Sequence, residues 1–291
     1  MSSPAEPVNG SSPAKPARAP AGGRGDGGPF VIGLPTLIFL LVIFVGPVLR
    51  LLLLSIEGGS LAAYEKALTD GLYLRVFRDT FEIAAIVTVC CALLGYPVAY
   101  FLTTLSHRWA ALAFACILIP LLTSVLVRTY AWMVILGRNG IINRTLMDWG
   151  LTDRPLALLH NLPSVIIGMA HVLLPMFILP VYSVMVRVDR ELLRAADGMG
   201  ASGWQVFARV YLPLTWPGVL AGATLVFIIS LGFYITPALL GGGRIMMIAN
   251  VIEHQVQSLL DWRFAGALSM VLLVATLAVQ AASNRIQAPR G

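Results

Sequence analysis

Residues Glu191 to Pro217 read ELLRAADGMGASGWQVFARVYLPLTWP, a polar, glycine-punctuated stretch lodged between two long apolar runs. The chain has 58% hydrophobic residues, 12% charged residues and a mean hydropathy of +0.83. Soluble domains carry about 25% charged residues. An island of this kind therefore belongs where the chain leaves a bilayer. Its local chemistry predicts order. Asp189 is placed to cap a helix from Arg190, with Glu191 in the first turn, where the helix dipole favours an anion. Gly198 and Gly200 can end that helix in a left-handed conformation. Ser202 followed by Gln205 forms a capping-box pattern that starts a second helix, and Pro213 and Pro217 open the next apolar run. The stretch reads as a helix–turn–helix knob at the membrane face, a docking element.

On either side of this knob lie apolar windows at Phe30–Ile56, Phe81–Leu105, Trp109–Gly137, Leu162–Val186, Pro213–Leu240 and Phe264–Asn284. Each exceeds the ~17 residues that a spanning helix needs, and the alternation of a β-barrel strand is missing. The fold class is an all-α membrane protein with six transmembrane helices. Gly232 and Pro237 predict a bend or break in the fifth span. Ser106-His107-Arg108 leaves room only for a tight antiparallel hairpin between the second and third. Residues 138–161 should carry a short helix with Trp149 at the interface. In 241–263, Asn250 and Glu253 form a capping pattern, and Ile248, Ile252, Val256 and Leu259 recur at helical spacing, which predicts an amphipathic helix on the outer surface.

Residues 1–29, rich in Pro, Gly, Ala and Ser, are expected to be a disordered tail, 30–285 the transmembrane domain with the docking loop at 187–212, and 286–291 a short C-terminal tail. The first apolar run is too long for a signal peptide and lacks a small-residue cleavage site. A formal charge of +6 without basic, aromatic-interleaved patches excludes a nucleic-acid partner. Cys90, Cys91 and Cys116 fall inside spans without metal spacing and read as small apolar packers. No Gly-x-x-x-x-Gly-Lys-Ser/Thr loop is present, so the chain cannot hydrolyse ATP through a Walker site, and no catalytic or metal cluster emerges. His171, inside a span, reads as a hydrogen-bonded packing residue.

Charges within spans are costly and stand as functional candidates. Counted from the turn at His107, Glu82 and Arg128 lie at comparable depth in the outer half, roughly 37 and 31 Å away at ~1.5 Å per residue. They can pair, or each can face a translocation path. The simpler reading makes Glu82 a helix-end residue and lets Arg128 snorkel outward. Tyr130, Trp132, Phe233 and Tyr234 supply aromatic faces near the same level, suited to a cation or to interfacial anchoring.

Ala195, Ala196, Gly200, Ala201, Ser202 and Leu212-Pro213-Leu214 resemble the EAA loop of binding-protein-dependent ABC importer permeases. Leu94-Gly95-Tyr96-Pro97, Leu126-Val127-Arg128-Thr129-Tyr130, Gly140-Ile141-Ile142-Asn143 and Asp261-Trp262-Arg263-Phe264 fit the same family. The likeness runs from about Phe30 to Asn284 and is strongest to the first of the two permease subunits of spermidine/putrescine importers. It implies a type I ABC importer permease (MetI-like) bundle with a cytoplasmic coupling helix, in a bacterial inner membrane. Positive-inside bias orients the chain weakly; the resemblance places the loop, and with it both termini, in the cytoplasm.

The same resemblance implies a non-catalytic subunit that forms half the path for a small solute, with putrescine or spermidine first. Another solute such as an amino-acid derivative or iron, or a secondary transporter, is the alternative. The implied partners are an ABC ATPase dimer, a second homologous permease, a periplasmic binding protein and membrane lipid; no cofactor is implied. Coupling to the ATPase would fall to Glu191, Arg194, Ala195, Ala196, Asp197, Gly200 and Pro213. At one position the chain departs from the family: Arg194 stands where the loop usually carries Glu, with Glu191 one turn earlier.

Overall fold

A computed structural model of the chain describes residues 28–56 and 61–287, and among these every regular element is helical. In order they are α1 (Gly28–Ser55), α2 (Ala62–Thr69), α3 (Gly71–Thr104), α4 (His107–Leu122), α5 (Val125–Leu136), α6 (Ile141–Asp148), α7 (Leu162–Met185), α8 (Arg190–Gly198), α9 (Gly203–Val206), a π-helical turn (Phe207–Tyr211), α10 (Leu212–Leu231), α11 (Ile235–Gly241), α12 (Ile248–Gln257) and α13 (Trp262–Gln287). The expected N-terminal tail lies outside the described residues up to position 27, while Gly28 and Pro29 begin α1. The C-terminal tail likewise lies outside them from position 288, and Ile286 and Gln287 end α13.

The chain divides into two compact units, one ending at Leu49 and one beginning at Arg50. The first is the greater part of α1, an apolar helix that carries Pro35 and Pro47 within it. The second holds the bundle. At its centre α3, α7 and α10 bury Val87, Cys91, Leu102, Met169, Leu173, Phe177, Ile178 and Val226 in one cluster. Close approach depends on two glycines that face a single ring. A Cβ on Gly95 of α3 would sit 2.6 Å from Cδ1 of Phe177, and one on Gly222 of α10 would sit 2.9 Å from the Phe177 carbonyl. Phe177 of α7 thus lies in a slot left open by two α-carbons that carry no Cβ. Tyr96, next to Gly95, joins its hydroxyl to that of Thr215 on α10 at 3.0 Å.

Among the described residues, five helices are long and apolar enough to cross a membrane, or six if the bent pair that begins at His107 is one span. The third span is therefore not one straight helix. It bends by 98° at Thr123–Ser124, just after Pro120. The Thr123 hydroxyl donates to the Pro120 carbonyl at 2.7 Å, giving the backbone an alternative to helical continuation. The hairpin before it is tighter than expected, since α4 starts at His107, yet α4 buries no residue. It leans on α7 through Phe114, whose ring meets that of Tyr182 edge-on at 4.5 Å.

The second span begins ten residues earlier than its apolar window, at Gly71, where Asp70 accepts the Leu72 N–H at 2.9 Å. Arg75, Arg78 and Asp79 masked these first turns. With 34 residues, α3 is about 51 Å long at ~1.5 Å per residue, well beyond a ~30 Å hydrocarbon core. The fifth span does break, at Gly232–Tyr234, between α10 and α11. Asn250 of α12 donates to the Tyr234 carbonyl at 2.7 Å, which also accepts the Ala238 N–H at 3.0 Å.

That bond corrects the reading of α12. Met247, not Asn250, is the N-cap residue, and Asn250 closes the capping box from inside the helix. It is the third residue, accepting from the Met247 N–H at 3.1 Å. The apolar face of α12 turns into the bundle, where Ile248 is fully buried with Tyr73, Val76, Phe264 and Leu268, while Glu253, His254 and Gln257 are exposed. The Ile248 N–H donates to Thr80 of α3 at 2.8 Å.

Two sequence motifs resolve into local staples. Asn143 of α6 is fully buried; its amide donates to the carbonyls of Gly137 and Leu156, both at 3.0 Å, and accepts the Leu156 N–H at 2.8 Å. It pins the 137–156 loop, while Trp149 at the end of α6 is 74% exposed. Asp261 accepts the Phe264 N–H at 2.9 Å, and Phe264 meets Tyr73 edge-on at 4.8 Å.

Candidate functional site

The docking knob forms from local chemistry alone. Asp189 accepts the Glu191 N–H at 2.8 Å and opens α8. The helix closes where Met199 donates to Ala195 at 3.1 Å, Gly200 to Asp197 at 2.9 Å and Ala201 to Ala196 at 3.3 Å. Gly200 sits at φ +84°, the left-handed region that favours glycine. Ser202 then accepts the Gln205 N–H at 3.4 Å, and the Gln205 side chain accepts the Ser202 N–H at 2.9 Å. The second helix runs through the π-helical turn into α10 without a break, so Gly203–Leu231 is one 29-residue span.

Within the knob the named residues divide. Glu191, Arg194, Ala195, Asp197 and Gly200 are exposed, as is Pro213 at the start of α10. Ala196 is 7% exposed, so it fastens α8 inward and cannot touch a docked partner. Arg194 faces a cavity of about 670 Å³ with His107, Tyr100 and Tyr182. Two residues that the sequence reading passed over dominate the outer surface. Met199 is 82% exposed and Trp204 is 74% exposed, with Leu192 at 51%. Trp204 is held in place by stacking on Phe207 at 5.6 Å. In an apolar chain these side chains carry no signal of their own; only the polar stretch around them marks them as surface.

The candidate path residues do not converge on one point. Arg128 of α5 is buried, and neither Nε nor Nη1 has a hydrogen-bond partner among the described residues. One turn later on the same face, Trp132 donates its indole N–H to Nδ1 of His171 on α7 at 3.2 Å. Thr129 meets Thr236 of α11 at 3.2 Å, tying the half-helix after one break to the half-helix after the other. Phe233, at the second break, and Trp132 both pack against the main core cluster.

Glu82 and Tyr130 stand apart. Glu82 lines a separate cavity of about 230 Å³ with Asp79 and Arg244, so equal depth does not bring it to Arg128. Depth follows from counting residues, but the direction around the helix axis does not. Tyr130, two residues from Arg128 and so ~200° around α5, is 55% exposed. Tyr234 is 46% exposed and takes part through its carbonyl.

The sequence model of the family described as "Binding-protein-dependent transport system inner membrane component" matches residues 29–288. The spermidine/putrescine transport system permease protein PotB of Escherichia coli is 37% identical over 207 residues, 71% of this chain and 75% of that protein. The inner membrane ABC transporter permease protein YdcU of Escherichia coli is 27% identical over 270 residues, covering 85% and 86%. A chain of the bacterial alginate ABC transporter, solved with an alginate-bound periplasmic protein, superposes with a TM-score of 0.73 at 16% identity, covering 89% of this chain and 93% of that one. A chain of the methionine transporter MetNI superposes at 0.55 and 17% identity, covering 74% and 94%.

Proposed function

Given that the chain belongs to the family of binding-protein-dependent transport system inner membrane components, we propose that it forms half the translocation path of an ATP-driven polyamine importer. The 37% identity to a spermidine/putrescine permease over 71% of the chain carries the cargo assignment. In this reading the other half of the path is a second, homologous permease. A dimer of ABC ATPases docks on the knob from the cytoplasm, a periplasmic binding protein delivers the solute, and both termini are cytoplasmic. The subunit itself performs no chemistry.

The knob supplies the coupling element. Glu191, Arg194, Asp197 and Gly200 present its polar crest, and Met199, Trp204 and Leu192 add the apolar anchors that dominate docking energetics. ATPase closure moves α8, and the rod from Gly203 to Leu231 carries that motion to the break at Gly232–Tyr234. There the tie between Thr129 and Thr236 links it to α5, which bears Arg128 and Trp132. Both broken spans thus meet at one level, where a transporter needs backbone that can rearrange.

The test is uptake of radiolabelled putrescine and spermidine by vesicles holding the complete importer, with unlabelled competitors. Saturable, ATP-dependent uptake blocked by polyamines is the expected result. Uptake competed only by an amino-acid derivative or an iron complex moves the cargo assignment. Uptake without an ATPase refutes the importer reading and leaves a secondary transporter.

A further inference from the structure

Helix α7 separates the knob from the other end of the bundle: α8 follows its C-terminus, and His160 precedes its N-terminus. Its 24 residues span about 36 Å at ~1.5 Å per residue, so the two ends lie on opposite sides of a bilayer core. At the His160 end lies a cavity of about 480 Å³, lined by Arg138, His160 and Arg244 over a leucine floor; no carboxylate stands in its wall, and Arg244 also borders the neighbouring cavity of Asp79 and Glu82.

The rim of this cavity is strained and fixed. His160, a residue with a Cβ, sits at φ +61°. Its N–H donates to the Leu240 carbonyl at 2.9 Å, an acceptor that also takes the Ser164 hydroxyl at 2.9 Å. The imidazole lies against the α-carbon of Gly242, at φ +57°, so closely that any side chain there would collide with it. Gly243 follows at φ +75°. A non-glycine residue held in this region is strained and persists only where its surroundings over-determine it. The loop that follows is what presents Arg244.

We propose that this basic cavity is the receptor for carboxylate side chains of the periplasmic binding protein. Two exposed guanidinium cations attract carboxylates by charge and steer their approach. A cationic cargo is repelled from the same wall, so the cavity is a poor vestibule for a polyamine. The knob, at the opposite end, already accounts for the cytoplasmic partner, and the outer end must receive the protein on which the family's transport depends. This inference rests on the importer reading and not on the cargo.

The complete importer in lipid nanodiscs is immobilised, and the purified binding protein of the same importer is passed over it, cargo-free and putrescine-loaded, at low and moderate salt. Arg138→Glu with Arg244→Glu should weaken binding by about tenfold or more, chiefly in the association rate, and flatten its salt dependence. Arg138→Lys with Arg244→Lys keeps the charge and should stay within about threefold of wild type, since steering follows charge. Wild-type binding by the glutamate variant overturns the proposal. So does a lysine variant as weak as the glutamate one, because loss of fold then explains both. If polyamine uptake fails while the charge dependence persists, the cargo assignment falls and this docking assignment stands.

Discussion

Gly200→Val isolates the conformational demand of the knob from everything around it. A Cβ built on Gly200 meets no heavy atom within 4 Å, so the substitution creates no clash, and its cost lies in the backbone at φ +84°. Left-handed geometry costs an L-residue ~1–2 kcal/mol, and a β-branched side chain falls at the upper end. At ~2 kcal/mol the knob conformation loses about thirtyfold against alternatives that lack the turn. The two bonds that close α8, Gly200 to Asp197 and Ala201 to Ala196, go with it. A partner that recognises the formed knob sees its affinity scaled by the remaining population. Uptake and substrate-stimulated ATP hydrolysis should therefore fall together while the amount of subunit in the membrane is unchanged. Gly200→Asn is the control, because asparagine tolerates left-handed φ, and it should recover most of the activity. Wild-type uptake in Gly200→Val, or equal failure of valine and asparagine, would refute the argument.

Trp204→Ala combined with Met199→Ala should weaken ATPase association by about 2–4 kcal/mol if they are anchors; unchanged co-purification removes them from the interface. Arg194→Glu restores the family's usual acidic residue. It should weaken assembly by ~1–3 kcal/mol if the facing groove has acquired acidic or carbonyl contacts, and tighter association in a pull-down rejects that compensation. Arg128→Met replaces a buried, under-bonded guanidinium by an apolar chain of similar length, so thermal stability should hold or rise by ~1–4 kcal/mol. Uptake should nevertheless fall; full uptake makes Arg128 a structural residue. Glu82→Gln should impair spermidine uptake more than Tyr130→Phe, now through loss of a carboxylate from the Asp79 cavity, and equal uptake leaves Glu82 as a helix-end residue.

What was legible in the sequence is what local chemistry decides. Asp189, Gly200 and the Ser202–Gln205 pair act within five residues of themselves, and the knob formed as read except that Gly198 stays helical and Gly200 alone takes the left-handed turn. The break near Gly232 was legible for the same reason. Features set by distant partners were not. Asn250 followed by Glu253 is a sound cap in isolation, but the register of α12 is set by Thr80, which takes the Ile248 N–H from a helix 168 residues away. The early turns of α3 fell outside the apolar window because Arg75, Arg78 and Asp79 interrupt their apolar residues, although Tyr73 and Val76 bury one face against Phe264. The break at Thr123–Ser124 had only Pro120 to announce it. Glu82 and Arg128 show the limit most plainly: counting residues fixes height along a helix and leaves open which neighbour it faces.

The slot around Phe177 carries a consequence for how such chains diverge. Three positions on three different helices, 95, 177 and 222, share one volume, and none of them can change size alone. A methyl group at Gly95 occupies space the ring now fills, whereas one at Gly222 meets the backbone carbonyl of Phe177 first. A homologue with alanine at 95 should therefore bear leucine or a smaller residue at 177, while alanine at 222 requires α7 and α10 to move apart whatever side chain stands at 177. Far apart in the chain, these sites form a single heritable unit, and their joint pattern of descent across homologues is a record of how closely the central helices have been held together.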